Sequence, residues 1–294
     1  PGGTTAEALY HLERGFDYFE SFDSAIFSEL SGGQLMASVN WRLPIDLESV
    51  SANGGLDLAS LFLAIDPNGA LYPFDNSFFV PSGNLFGVLD RPSDSLVFFQ
   101  GRFTDPAYDS DVILHELTHA VIHTLVGGNV GLIAHHRDAQ GVHQMSLAMN
   151  EAYADFFAAA MNGNPVIGEY GIADEHRRDL SARPRQVCGD RFMNEEHHDS
   201  APYSGALWEI YEEFDRSEEI EEAIFLALAT LMPNASFQEG AEATIGAIDS
   251  LLGIEAAERA DTLFSHYGSD GTTPCERVRA VDDGVTTSPI NLSG

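Results

Sequence analysis

From residue 109 onward, apolar side chains recur three and four positions apart, the spacing that lines one face of an α-helix. Five stretches carry it: "SDVILHELTHAVIHTL", "MSLAMNEAYADFFAAAM", "YSGALWEIYEEF", "SEEIEEAIFLALATLM" and "QEGAEATIGAIDSLLG". Ahead of them the pattern shortens. "LMASVNW", "LFLAI", "NSFFV" and "SLVFFQ" are brief, β-branched or aromatic, and divided by Gly, Pro, Asn and Asp, so they read as strands. One earlier segment, "AEALYHLERGFDYFESF", sets Leu9, Leu12, Phe16 and Phe19 on a common helical face. The pattern predicts an α+β fold in two lobes. A strand-rich N-terminal lobe over 1–127 ends in the first histidine-bearing helix, and a helical C-terminal lobe covers 128–294. Stretches 127–143 and 163–200, rich in Gly, His, Arg and Pro, read as loops, and a cleft between the lobes is the expected home of a site.

Composition changes this picture little and charge changes it more. The chain has 294 residues, 44% of them hydrophobic, and no apolar run approaches the roughly 20 residues a membrane span needs. Forty-six acids against 14 arginines, with no lysine, leave a formal charge of −32. Such a surface repels phosphate backbones and argues against nucleic acid as a partner; it suits a salt-rich or calcium-rich setting. Cys188 and Cys275, the only cysteines, fit no zinc-finger or C-x-x-C spacing and are expected to form one disulfide in a secreted protein rather than two buried thiols. The chain opens at Pro1 with no n-region and h-region behind it, so it reads as a mature segment with any signal peptide or pro-region upstream.

The polar residues inside the helical stretches carry the chemistry. "HELTH" places His115 and His119 four apart, one above the other on a helix, where two imidazoles can meet one ion. Glu116, about 100° around the axis, lies beside that ion rather than on it, where a base for an activated water belongs. His123 continues the stripe, but no acid accompanies it as Glu116 accompanies His115, so it reads as a structural histidine bonded to backbone or carboxylate. His135 and His136 fall in a Gly-rich loop and read as surface residues. A catalytic zinc site takes about three protein ligands and leaves one position open. "NEAYADFF" supplies a third: Glu151 and Asp155 stand four apart among Tyr153, Ala154, Phe156, Phe157 and Ala158. Glu151 can complete the ligand set, and Asp155 can accept the outer N–H of a ligand histidine.

With "HELTH" followed by "NEAYAD", the chain resembles a gluzincin metallopeptidase of the thermolysin and fungalysin type. "AYDSDVILHELTHAVI", "NEAYADFFAAAMNGNPVIGEY", "LYHLERGFDYFESF" and "SFQEGAEATIGAIDSLLG" extend the resemblance over most of the sequence. It implies a thermolysin-like fold and Zn2+ held by His115, His119 and Glu151. Glu116 is then the general base, Asp155 stands behind a ligand histidine, and a monomeric secreted endopeptidase acts on proteins or peptides. In "HHDSAPYSGALWEIYEEF" it gives His197, with His198 as the competing neighbour, the task of stabilising the tetrahedral oxyanion. Arg178 in "RRDL", with Arg177 beside it, resembles the arginine that binds a substrate carbonyl. "DNSFFVPSG" reads as an edge strand along which an extended peptide could lie, Asn76 and Ser77 offering backbone groups.

Departures from thermolysin are plain. The gap from His119 to Glu151 is longer and nearer the fungalysin arrangement. The calcium-binding acids are mostly missing around "NGNPVIGEY", although Asp111 and Glu169 fall where two of them would, which leaves room for Ca2+. The carboxylate behind the oxyanion histidine is not at its usual spacing, and Asp190, Glu195 and Asp199 are the candidates. No G-x-S-x-G elbow offers a serine nucleophile. Two other readings compete: a non-catalytic binding module keeping a relic zinc site, and an exopeptidase on the same chemistry. A relic should lose Glu116 or the oxyanion histidine before its ligands, and an exopeptidase needs an extra charged group, which the sequence does not identify.

Overall fold

A computed structural model describes residues 2–28, 34–43, 69–85, 89–102, 104–133, 145–171, 177–182 and 195–270. The sequence readings on "LFLAI", His135, His136, Cys188, Asp190 and Cys275 lie outside the described residues. In chain order the elements are α1 (Gly2–Phe22), β1 (Met36–Trp41), β2 (Ser77–Val80), β3 (Gly83–Leu85), β4 (Leu89–Arg91) and β5 (Ser95–Phe99). Then come α2 (Ser110–Leu125), α3 (Met145–Asn162), β6 (Val166–Ile167), β7 (Arg178–Asp179), α4 (Glu196–Asp199), α5 (Ala201–Glu213), α6 (Glu218–Thr230), α7 (Phe237–Leu252) and α8 (Ile254–Tyr267).

Strand β5 is the centre of a three-stranded sheet, parallel to β1 on one side and antiparallel to β2 on the other. All five of its residues are buried, which is why it reads as an unbroken apolar run rather than an alternating one. Among the described residues β2 is an edge strand, paired to β5 alone. A short connection from β5 leads into α2, which is buried along nearly its whole length. Asp109 starts α2 by accepting the Asp111 N–H at 2.9 Å. The helix ends at Val126 in extended conformation, followed by Gly127 and Gly128 at positive φ. Its buried hydroxyls are satisfied locally, Thr118 donating to the Leu114 carbonyl at 2.8 Å and Thr124 to that of Ala120 at 2.9 Å.

Helix α1 crosses α2 at Gly15, where a Cβ would force the buried Leu117 side chain to shift, so glycine favours that close approach. Phe19 on α1 meets Phe157 on α3 at 5.4 Å between ring centroids, and Phe22 meets Phe225 on α6 at 5.2 Å. Helix α3 is apolar on nearly all sides because it is enclosed by other elements. His123 is half-buried with its ring 5.4 Å from Phe79. Burial lowers its pKa, Asp94 and the Val130 backbone partly opposing, which describes a neutral histidine between α2 and the sheet.

Helix α8 is absent from the periodicity reading. Gly253, at φ 87°, ends α7, and Ile254 begins α8 at once. A glycine closing an amphipathic run reads as the end of helix altogether. The 3-and-4 spacing of buried Ala257, Ala260 and Phe264 continues past it, on a segment whose remaining positions are mostly polar.

Candidate metal centre

One face of α2 and one of α3 build the site. His115 and His119, a turn apart on α2, bring their Nε2 atoms to 3.0 Å from each other. Glu151 reaches across from α3, with Oε2 3.1 Å from His115 Nε2 and Oε1 3.5 Å from His119 Nε2. The ligand atoms of the three residues all lie within 4.8 Å of one another.

The outer nitrogens show which way the lone pairs point. His115 Nδ1 lies 2.9 Å from Asp155 Oδ1, close enough for an ion pair though short of well-aligned hydrogen-bond geometry. His119 Nδ1 lies 2.8 Å from Asn150 Oδ1. The Asn150 amide cannot turn freely, because its Nδ2 donates to the Leu132 carbonyl at 3.0 Å and leaves Oδ1 as the atom facing His119. With both Nδ1 protons directed outward, both Nε2 lone pairs converge on one point beside the Glu151 carboxylate. Among the described residues, Glu151 Oε2 is buried and its near neighbours, the Nε2 atoms of His115 and His197, make no aligned hydrogen bond to it. Facing lone pairs and an unpartnered buried carboxylate oxygen are a costly arrangement until a cation sits among them. Two imidazole nitrogens and one carboxylate, with a fourth direction left over, fit zinc.

Electrostatics agree with the geometry. Burial disfavours a charged His115, but Asp155 and Glu151 outweigh it and lift its pKa to about 10. Burial likewise opposes a charged His119, and Glu151 raises it. Against their own burial, Glu151 is held well below the usual carboxylate range by His119 and His115, and Asp155 is lowered by Arg178 and His115. Protons and a divalent cation therefore compete for the same nitrogens.

Asp155 serves two partners. The β6–β7 pair sets Arg178 opposite Ile167, and Arg178 forks onto Asp155 with Nε to Oδ2 and Nη2 to Oδ1 both at 2.7 Å. Arg178, read from sequence as a substrate contact, is thus first a partner of the residue behind His115. Glu116 is buried on α2 next to His115, and its charge acts on His119 and Arg178.

Short helix α4 brings in His197, whose Nε2 lies 3.4 Å from Glu151 Oε2. Its Nδ1 is 2.6 Å from Glu195 Oε1, while Glu195 Oε2 accepts the His198 N–H at 2.8 Å. One carboxylate thus caps the helix and holds the ring. His198 turns away to Asp199, 3.1 Å from its Nδ1. Of the two candidate acids among the described residues, Glu195 and Asp199, Glu195 is the one beside His197. Asn150 escaped sequence reasoning, and its only signal is its place directly before Glu151. On β2, the Ser77 N–H is accepted at 2.9 Å by Asn76 Oδ1, while the Asn76 carbonyl accepts from Phe99 N at 3.3 Å, so neither group is turned toward a peptide.

No protein-family model matches the chain, and no curated protein matches it. Among solved structures, the precursor of protealysin, a metalloproteinase from Serratia proteamaculans, is similar to it over 90% of this chain and 78% of that one, with TM-score 0.63 and 16% identity. At that identity the likeness establishes the fold, a mixed helix-and-strand architecture shared with a metalloproteinase precursor.

Proposed function

We propose that this protein is a zinc-dependent endopeptidase of the gluzincin type. The observation that carries the reading is the convergence of His115, His119 and Glu151 with both outer imidazole nitrogens held by Asp155 and Asn150. Bound zinc supplies Lewis acidity toward water and toward the scissile carbonyl. Glu116 takes a proton from the attacking water and passes it to the leaving amine, so that water adds across the C–N bond and gives a carboxylic acid and an amine. In its imidazolium form His197, aimed at the centre by Glu195, donates from Nε2 to the oxygen on which charge develops. Arg178 anchors Asp155 with two of the guanidinium's five N–H donors, and among the described residues no partner takes the others, which can meet a substrate carbonyl. The substrate lies in a cleft between the sheet-bearing part of the chain and the helices after α2. The acidic, lysine-free composition and the cysteine pair fit an extracellular setting for a monomer.

Metal analysis should find about one zinc per chain. Casein hydrolysis should be abolished by 1,10-phenanthroline and restored by added zinc. Undiminished hydrolysis by the stripped protein ends the proposal, and zinc binding without hydrolysis leaves a binding module. A cleavage profile on a peptide library should show internal cuts; strictly terminal release would point to an exopeptidase.

The two neighbouring histidines can be told apart. His197→Phe should lower kcat by about 10²–10³-fold with little change in KM, the size expected for losing one oxyanion donor. His198→Phe should stay within a few-fold of wild type. The reverse ranking would move the oxyanion role to His198.

A further inference from the structure

The junction of α1, α2 and α3 collects Asp109, Asp111 and Glu169 around an open cavity of about 320 Å³ rimmed by Tyr108 and Tyr170. Two of these acids fall where the resemblance would place calcium ligands. Calcium takes about 6–8 oxygen ligands. Here five of the six carboxylate oxygens are turned to N–H donors. Asp109 Oδ1 accepts the Asp111 N–H at 2.9 Å, and its Oδ2 accepts from Tyr170 N at 3.0 Å and from Gly171 N. Asp111 Oδ2 accepts from Gly168 N at 3.1 Å, and Glu169 Oε2 from Asn164 Nδ2 at 2.6 Å. Asp111 Oδ1 accepts from Asn162 Nδ2, which also donates to Ser110 Oγ at 3.1 Å. Among the described residues these acids form no cluster with ligand geometry.

The orientation of Asn162 decides what the junction can hold. A cation beside Asp111 would need the amide oxygen to face it. Arg14 on α1 donates from Nη2 to Asn162 Oδ1, and a guanidinium can only donate, so the amide is fixed with its NH2 toward Asp111. Gly15, one residue on, allows α1 the close approach that carries Arg14 there. Burial and the Asp109 charge raise the Asp111 carboxyl to about 6, with Asn162 and Gly168 pulling the other way, so at neutral pH it is the charged acceptor this chain of donors requires.

We propose that Arg14, acting through the Asn162 amide, takes the place of a structural cation at this junction, and that the chain holds the 163–171 segment without calcium. That segment contains β6, whose partner β7 carries Arg178 to Asp155. The inference is independent of the peptidase reading, since its tests read stability and binding.

With zinc present, millimolar calcium should raise the melting temperature of the full chain no more than magnesium does. Terbium, which Tyr108 and Tyr170 would sensitise in this cavity, should give no emission that calcium displaces. A calcium-specific rise of several degrees that disappears in Asp111→Ala would overturn the proposal. Arg14→Gln should lower the melting temperature by about 5 °C, the loss of one charge-assisted hydrogen bond in a chain of this size; an unchanged melting temperature also overturns it. Asn162→Asp, which replaces the donor by a carboxylate, should gain stabilisation by calcium but not magnesium. A variant indifferent to calcium would show that the amide is not what excludes the ion.

Discussion

Glu116→Gln should retain about one zinc per chain and lose peptide hydrolysis by about 10³-fold, nearly all of it in kcat. Glutamine has the shape of glutamate, so the buried position on α2 is still filled. The amide cannot accept the proton that the attacking water must shed, and nothing else in the triad is free to do so. His115 and His119 have their Nδ1 atoms against Asp155 and Asn150, and their Nε2 atoms face the metal position. Zinc content by metal analysis and kcat against KM on a peptide substrate are the two readings needed. Full activity would remove Glu116 from the mechanism, and loss of zinc would make it a ligand.

Asp155→Ala is expected to have the largest effect on stability. Asp155 is 1% exposed and accepts both arms of the Arg178 fork while facing His115 Nδ1. Truncation leaves a half-buried guanidinium without its counter-charge, which costs up to about 3–5 kcal/mol. For a chain this long the melting temperature should fall by roughly 10 °C. The same truncation frees the His115 ring, so zinc affinity should weaken by about 10–100-fold. Asp155→Asn separates the two effects. It keeps an acceptor for Arg178 but no charge, and should recover part of the stability and less of the metal affinity. Melting of the alanine variant within about 1 °C of wild type would show that the fork adds nothing net.

Sequence by itself determined which residues of the site share a helical face. His115 with His119, Glu116 to one side of them, and Glu151 with Asp155 one turn on are consequences of the 3.6-residue period, and α2 runs over the same Ser110–Leu125 stretch the periodicity marks. The buried strand β5 was legible for a similar local reason, an apolar run too short for a helix. Tertiary structure decided which faces meet and which of several chemically equal residues is the partner. In a chain with 46 acids, spacing could not select Glu195 over Asp199 for His197, nor foresee that Arg178 spends its fork on Asp155. Asn150 became visible only when the Leu132 carbonyl fixed its amide, and Asp111, an expected calcium ligand, faces an amide NH2 only because Arg14 holds the oxygen of Asn162. Leu132 with Asn150, Asp155 with Arg178 and Arg14 with Asn162 stand 18 to 148 residues apart; periodicity carries information over a few turns, whereas such pairings are set by packing of whole elements.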